Sequence, residues 1–347
     1  MNFSTTVIHA DKHGEPGREG RRHWRWLSSQ LFTACMLTLL VSCMSPSKTP
    51  KLLFSDHQLT GKIWDVEQQA YLDQDMLVAR LLDSDYLLLG ERHDNPVHHQ
   101  HQGWAIKQLA NKGKQASVAF EMIDSEQGAR LAKQNMTSAE QLIAELNVSK
   151  TGWDYEHRYK ALFAEVIAAG YRIDSANLNR QQLMNIIMQG EDNLSEDYQR
   201  MLDATPLSAA QLKASQQEIS QSHCGMLDDK TSAGMVLGQR LRDAVMADSL
   251  LNSQQPVKVL IAGAAHVRND RAVPLYLRTN LKQQGKHDRI LSVGMIEVES
   301  AATDPSAYAE PWGSETLPFD IVWFTPQVKR EDMCKQLKQH FKKKHDG

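Results

Sequence analysis

Short apolar runs alternate with longer segments of helical periodicity along most of the chain. The runs lie near residues 86–90, 117–121, 172–177, 257–263, 290–298 and 320–325. Runs of this length, bounded by glycine and polar residues, are typical of buried strands. Because strands that alternate with helices form parallel sheets, the pattern predicts an α/β fold with a mostly parallel central sheet flanked by helices.

One long segment departs from this alternation. Residues 180–251 are rich in Gln, Met and Leu at helical spacing, with breaks near Gly190 and Pro206. We predict a helical insertion or lid subdomain here, between the third and fourth core strands. A subdomain in this position could cover a pocket at the ends of the strands.

The first 42 residues have the features of an export signal. Several arginines precede an apolar stretch at residues 31–41, which is shorter than the roughly 20 residues that span a bilayer comfortably. Residues 40–43, Leu-Val-Ser-Cys, resemble the lipobox of bacterial lipoproteins. We therefore predict a signal peptide over residues 1–42 and a lipid anchor on Cys43, with an uncleaved anchor helix as the alternative.

The residues after the lipobox predict the location and the domain limits. Position 44 is Met rather than Asp, which favours the outer membrane over the inner one, so we expect a protein of the cell envelope. Residues 43–54 contain Ser, Pro and Lys and predict a flexible tether. Residues 55–330 are predicted to form the folded domain, and residues 331–347 a helix or tail at the C-terminus.

Charge and cysteine content narrow the functional classes. The chain has 39 Lys and Arg against 42 Asp and Glu, a net charge of −3, which gives no electrostatic reason to expect binding to nucleic acid. Removal of the signal, which contains Cys35, and lipidation of Cys43 would leave Cys224 and Cys334 as the two cysteines with free thiols. These two could pair in an oxidising compartment, but their spacing does not show whether they do.

Ionisable side chains follow three of the predicted strands. Glu91 and His93 come directly after the strand near 86–90, Glu121 ends the strand near 117–121, and His266 follows the strand near 257–263. Ligands of α/β sheets bind at the carboxyl ends of the strands, so we expect these four side chains to converge on one pocket.

Two interpretations of this set remain open. Imidazoles and carboxylates suit a divalent metal, held by His93, Glu91 and His266, or general acid–base catalysis near neutral pH. Alternatively, the carboxylates bind loop amides and His266 lies at the start of a helix, both in a purely structural role.

Three more histidines follow Pro96 in a predicted helix. His98 and His101 are three residues apart and share a face, so His98 is a candidate ligand. For His99 and His101 we expect ordinary helix positions outside the site.

Residues 152–159 concentrate aromatic side chains at the start of another predicted helix. Tyr155 and Tyr159 are four residues apart and could face one cavity, next to Trp153 as a stacking surface. A tyrosinate can ligate ferric haem. Packing in the core is the alternative for all three residues.

The order of short motifs along the chain resembles a known family. The motifs are Gly-Glu-x-His-Asp-Asn-Pro-x-x-His around Glu91, Phe-Glu-Met at 120–122, Gly-Trp at 152–153 followed by Tyr159, Ala-Asn-Leu at 176–178, His-Cys at 223–224, Gln-Arg-Leu-Arg-Asp at 239–243 and Ala-Gly-Ala-Ala-His at 262–266. Together they resemble the ChaN-like haem-binding, iron-regulated lipoproteins of the haem-binding uptake, or Tiki, superfamily. The resemblance extends from about residue 63 to residue 324.

The resemblance implies ferric haem, held by a tyrosine at the interface of a homodimer in which two haems face each other. Tyr159 is the first candidate for the iron ligand and Tyr155 the second, with Trp153 nearby. His98 or Lys160 would then lie near the propionates. The implied role is to accept or store haem during bacterial iron acquisition, with an outer-membrane haem receptor or uptake machinery as partner.

The same superfamily also implies an alternative function. Erythromycin esterases and Tiki metalloproteases have Gly-Glu-x-His and Gly-x-x-His elements that match Glu91, His93 and His266. In a metal-assisted or general-base hydrolase, Glu91 or Glu121 would activate water. His93 and His266 would hold the metal or position the base.

Overall fold

The structure is a computed structural model that describes residues 50–149, 151–191, 194–332 and 334–335. The predicted signal peptide, Cys43 and most of the predicted tether and C-terminal tail lie outside the described residues. No helix of the described part has both the length and the apolar composition needed to cross a membrane.

The described strands include every strand that the apolar runs predicted. They are β1 Leu52–Leu53, β2 Ile63–Asp65, β3 Ala70–Leu72, β4 Tyr86–Glu91, β5 Ala116–Asp124, β6 Arg172–Asn177, β7 Val257–Gly263, β8 Ile290–Glu297, β9 Ile321–Thr325 and β10 Gln327–Val328. Eight of them form the central sheet in the order β3-β2-β9-β8-β4-β7-β5-β6. The six strands from β9 to β6 are parallel, and β2 and β3 are antiparallel additions at one edge. The predicted α/β class is confirmed.

Helices cover both faces of the sheet. They are α1 Gln74–Asp83, α2 Pro96–Asn111, α3 Ser125–Leu131, α4 Ala139–Leu146, α5 Lys160–Ala168, α6 Arg180–Gln189, α7 Glu196–Ala204, α8 Ala209–Ser222, α9 Asp229–Leu251 and α10 Val273–Gln283, with a π-helical turn at Tyr155–Tyr159 before α5. Alternate residues of the buried strand β4 enter two different cores. Leu87 and Leu89 pack with residues of α2 and α5, whereas Leu88 packs with residues of α9 and α10.

The predicted helical insertion is present as α6 to α9, between β6 and β7. Its last helix, α9, packs along the sheet and buries Leu237, Leu241 and Met246 in one of the two cores. The insertion is therefore part of the same folded body as the sheet, and it reaches the carboxyl ends of the strands.

Two long-range links join the ends of the described chain to this body. β1 pairs with β10 in a small antiparallel sheet, so Leu52 and Leu53, at the end of the predicted tether, belong to the folded domain. A disulfide joins Cys224, in the turn after α8, to Cys334, which is 110 residues further along the chain. The open question about these cysteines is thus settled by tertiary contact.

Gly90 lies where β4 approaches the turn that follows β7. A Cβ atom at this position would lie 3.0 Å from the Cα atom of Ala264 and closer still to a methyl group of Val267. Backbone therefore occupies the space that any larger residue would need.

We predict that Gly90→Ala lowers the free energy of unfolding by about 1–3 kcal/mol, because the added methyl group overpacks a contact with backbone. Urea denaturation measures the change. Gly103→Ala in α2 is the matched control, since its nearest neighbour would be the Cγ atom of Glu165 at 3.4 Å. The control should be neutral or stabilising, and equal losses in both variants would contradict the prediction.

Candidate functional site

The carboxyl ends of β4, β7 and β5 lie side by side, because these strands are neighbours in the sheet. Glu91 ends β4, Glu121 lies in β5, and His266 follows β7 in a short 3-10 turn, Ala264–His266. The ring of His93 lies between the carboxylates, with Nδ1 2.7 Å from Glu91 Oε1 and Nε2 3.6 Å from Glu121 Oε2. His266 Nε2 is 3.7 Å from Glu121 Oε1. The structure thus brings together the four residues that the strand pattern had selected.

Glu91 is buried among hydrogen-bond donors. The Tyr159 hydroxyl donates to Glu91 Oε1 over 2.6 Å, and His93 shares the same oxygen. The Nε2 atom of His99 lies 3.2 Å from Glu91 Oε2, although the two atoms are not aligned for a hydrogen bond. Burial alone would raise the pKa of Glu91, but the charge of His99 and the hydrogen bond from His93 hold it well below its ordinary value.

Glu121 is the second buried carboxylate, and its partners come from three elements. The Gly263 amide donates to Glu121 Oε2 over 2.6 Å, and the guanidinium of Arg242 in α9 forms an ion pair with Oε1. The pairing of β5 with β6 is irregular between Phe120 and Asp124. In this stretch the side-chain amide of Asn177 donates to the Glu121 carbonyl. Burial opposes ionisation, but the charges of His93, Arg242 and His266 lower the pKa of Glu121 to about 2.

His266 is oriented by an aspartate that sequence reasoning had not assigned to the site. Its Nδ1 atom is 2.6 Å from Asp243 Oδ1, and burial raises the pKa of this carboxyl group. Asp243 and Arg242 are consecutive in α9. Two adjacent charged residues between buried apolar positions of a helix are a sequence signal that could have identified Arg242 and Asp243 as site residues.

His93 is the partly exposed member of the network, with 29% of its side chain accessible. Its ring contacts the edge of Trp153, with the ring centroids 4.9 Å apart. Burial by itself would lower the pKa of His93, but the charge of Glu121 and the hydrogen bond that His93 donates to Glu91 outweigh it and raise the pKa to about 9. The ring is therefore protonated at neutral pH.

Both candidate iron ligands are buried. Tyr159 is completely inaccessible, and burial together with the Glu91 charge raises its pKa far above the ordinary value. The Tyr155 hydroxyl donates to the Met122 carbonyl over 2.6 Å, and burial raises its pKa as well. Both rings pack against Phe163, but the two hydroxyls reach different groups, the Met122 carbonyl and Glu91. That either tyrosine binds iron stays a prediction, and it requires the segment to move.

The two residues expected near the haem propionates have other partners in the structure. His98 is fully buried; it accepts from the Arg92 amide at Nδ1 and lies 2.7 Å from the Thr325 hydroxyl at Nε2. Burial lowers the pKa of His98 to about 3, so the ring is uncharged. Lys160 forms ion pairs with Glu140 and Glu156 on the surface. Neither is a free cation in this conformation.

The roles expected for the neighbouring histidines are partly corrected. His99, expected outside the site, contacts Glu91 because the first turn of α2 passes directly beside the end of β4. His101 has an ordinary packing role and stacks on Trp323, with centroids 3.7 Å apart.

That His93, Glu91 and His266 hold a metal ion stays a prediction. Within the part of the chain that the structure describes, no group of three or more His, Cys, Asp or Glu side chains is arranged to hold a metal ion. The predicted ligands have other partners in the structure. Glu91 contacts His93 and the Tyr159 hydroxyl, and His266 pairs with Asp243. A metal there would have to displace these contacts.

Acid–base catalysis is likewise not favoured by the electrostatics. An efficient general base has a pKa near the working pH. The pKa values of Glu91 and Glu121 are both lowered, and that of His93 is raised. Glu91, Glu121 and His93 therefore stabilise each other's charged forms and are poor proton acceptors at neutral pH.

A cleft of about 630 Å³ opens over this network. Glu121, His93 and Arg242 lie on its polar side, and Tyr308 and Trp312 contribute aromatic surface. Its volume is within the range of about 300–1,000 Å³ that is common for sites of small organic ligands. The strand ends thus form a site with both charged and aromatic walls.

The raised pKa of His93 predicts that stability depends on pH. A protonated ring stabilises the fold fully below the unfolded pKa of 6.5, and this contribution is lost as the pH rises through about 9. We expect the wild-type free energy of unfolding, measured with urea, to fall over this interval by ~3 kcal/mol more than that of His93→Gln. Glu165→Gln, which breaks an exposed pair with Lys107, should keep the wild-type slope. An unchanged slope in His93→Gln would contradict the assignment.

Comparison with known proteins agrees with this architecture. A family model described as haem-binding uptake, Tiki superfamily, ChaN matches residues 77–277. A structure of cofacial haem binding to ChaN of Campylobacter jejuni shares the fold, with a TM-score of 0.60 and 22% identity over 77% of this chain and 96% of that one. An erythromycin esterase EreC mutant in its open conformation gives a TM-score of 0.42 and 11% identity over 75% of this chain and 95% of that one. No curated protein matches the chain in sequence. Because the family model covers more than half of the chain, the protein belongs to the haem-binding uptake, Tiki superfamily, ChaN family.

Proposed function

We propose that the protein is a lipid-anchored haem-binding protein of bacterial iron acquisition, which accepts or stores ferric haem at the outer membrane. The observation that carries this proposal is the family match over residues 77–277. That range contains the whole strand-end network, the aromatic segment 152–159 and the insertion. An outer-membrane haem receptor or uptake machinery would be the partner.

The iron ligand that we propose is Tyr159. Its hydroxyl lies 2.6 Å from Glu91 Oε1 and 3.2 Å from His93 Nδ1, so the phenol oxygen is in direct contact with the charged network at the strand ends. Ferric iron would supply the positive charge that a buried phenolate requires. Because Tyr159 is inaccessible in this conformation, haem binding would have to open the π-helical turn, an element that is frequent at functional sites.

Tyr155 is the alternative ligand. Its hydroxyl donates to the Met122 carbonyl and accepts from Gln127, so no carboxylate hydrogen-bonds to it. Tyr155 therefore lacks the direct contact with the charged network that Tyr159 has. The partly exposed pair of His93 and Trp153 lies on the Tyr159 side and offers aromatic contacts to a porphyrin.

We further propose that a homodimer binds the haem. The Campylobacter jejuni ChaN structure describes cofacial haem binding, and its fold corresponds to this chain over 96% of its length. Two haems that face each other would be shared by two copies. A dimer would also cover the apolar porphyrin faces, which a partly open site on one chain leaves in water.

We predict that Tyr159→Phe removes the tyrosinate bands of the ferric haem spectrum and weakens binding by at least about tenfold, because the variant loses a coordinate bond. Titration of the full-length protein in detergent with ferric haem measures both changes. Tyr155→Phe should keep the spectrum. Tyr171→Phe, whose hydroxyl donates to the Lys114 carbonyl far from the network, is the matched control. A wild-type spectrum in Tyr159→Phe and its loss in Tyr155→Phe would reverse the assignment.

Lipidation gives a separate prediction about location. Cys43→Ser should remove the lipid and shift the protein from the membrane fraction to the soluble fraction, because residues 31–41 are too short to hold a spanning helix firmly. Fractionation and mass spectrometry of the amino terminus measure this. Cys35→Ser is the control and should leave the location unchanged. A membrane-bound, uncleaved Cys43→Ser protein would support the anchor-helix alternative instead.

A further inference from the structure

A second cavity of about 230 Å³ adjoins the cleft on the side of the insertion. We call it the arginine chamber, because its lining includes Arg240, Arg268 and Arg271. It shares Glu218 and Gln239 with the wall of the main cleft. The chamber is smaller than the roughly 300 Å³ at which sites for whole organic ligands begin. It therefore suits one polar arm of a molecule that lies in the cleft.

Two of the guanidinium groups already hold carboxylates. The side chains of Arg268 and Arg271 are only 2% and 7% exposed. Both bind Glu218 Oε2, over 3.1 and 2.7 Å, and both also bind Asp270. Buried guanidinium groups with this donor arrangement favour planar carboxylates, which they can bind through two hydrogen bonds.

Arg240 leaves the chamber with an unused donor. Its Nε atom is buried and has no hydrogen-bond partner among the described residues. Another nitrogen of the same group, Nη1, lies 3.9 Å from Glu191, whose side chain is 63% exposed, so solvent screens this pair. The chamber is lined by the carboxylates of Glu218 and Asp243, and Asp270 binds Arg268 and Arg271 beside it. The chamber therefore contains a buried donor that lacks an acceptor, which is unfavourable.

Glu218 occupies a position that another carboxylate could take. It lies on α8 of the insertion, its side chain is 38% exposed, and its described ion pairs are those with Arg268 and Arg271. Water could solvate the displaced Glu218 at little cost, because the side chain already lies near the surface. A carboxylate from the cleft could then bind the same two guanidinium groups and reach Arg240.

We propose that the arginine chamber binds a carboxylate of the ligand in the cleft, in competition with Glu218. The identity of this ligand rests on the proposed haem function, under which the carboxylate is a propionate of haem. The chamber would then supply the cationic contact that was predicted for His98 or Lys160, of which one is buried and uncharged here and the other is paired.

The test compares ferric protoporphyrin IX with its dimethyl ester, which has the same ring and iron but no free carboxylate. The full-length wild-type protein should bind the acid at least about tenfold more tightly than the ester, the effect of one charge-assisted hydrogen bond. Arg240→Gln should lose this preference. Glu218→Gln should bind the acid more tightly and leave the ester unchanged, because the competing charge is gone.

Arg289→Gln is the matched control. Arg289 also pairs with carboxylates, those of Asp83 and Asp85, but it lies near the amino end of the sheet strands. Its substitution should change neither affinity, and urea unfolding checks that every variant is folded. The proposal about the chamber would be overturned if the wild type bound the acid and the ester equally well and neither Arg240→Gln nor Glu218→Gln changed these affinities. That result would leave the haem function intact. If the wild type binds neither porphyrin saturably, both proposals fail.

Discussion

The ion pair between Glu121 and Arg242 connects the sheet to the helical insertion, and the rest of the site depends on it. Glu121 is 3% exposed, and a carboxylate in such a place is very costly unless cations and hydrogen-bond donors compensate it. Arg242 supplies the compensating charge from α9, and the Gly263 amide supplies a donor from β7. Loss of one partner would leave an uncompensated charge in the core. The position of α9 on the sheet is therefore fixed by electrostatics as well as by apolar packing.

The same compensation explains why the site favours binding over proton transfer. Glu91 and Glu121 are held ionised and His93 is held protonated, each by the others. A network that is satisfied internally resists gain and loss of protons near neutral pH. Groups that can still bind a ligand lie at the edge of the network. They are the partly exposed His93 ring beside Trp153 and the unpaired Nε atom of Arg240. These groups have the aromatic and cationic character that a porphyrin with carboxylate arms requires.

The insertion is tied to the rest of the chain at several separate points. Arg242 and Asp243 of α9 reach the strand ends, and the Cys224–Cys334 disulfide links the turn after α8 to the end of the described chain. Gln211 at the start of α8 donates to the Asp270 carbonyl. Such ties keep α8 against the cleft, so the exchange proposed at Glu218 needs a side-chain movement and not a displacement of the whole subdomain. In contrast, the proposed access to Tyr159 requires the backbone of the π-helical turn to move.

Local pattern alone determined the fold class, the six core strands, the helical insertion and the meeting of Glu91, His93, Glu121 and His266. Periodicity reports which face of an element is buried, and the ends of neighbouring parallel strands must meet at one edge of a sheet. Only the tertiary structure decided the strand order, the pairing of Cys224 with Cys334 and the entry of His99, Arg242 and Asp243 into the site. It also decided that Tyr155 and Tyr159 are both buried, in a π-helical turn that the sequence does not mark, and that their hydroxyls bind different groups. These features depend on which residues, distant in the chain, come to compensate buried charges and fill the core, and local spacing carries no information about such partners.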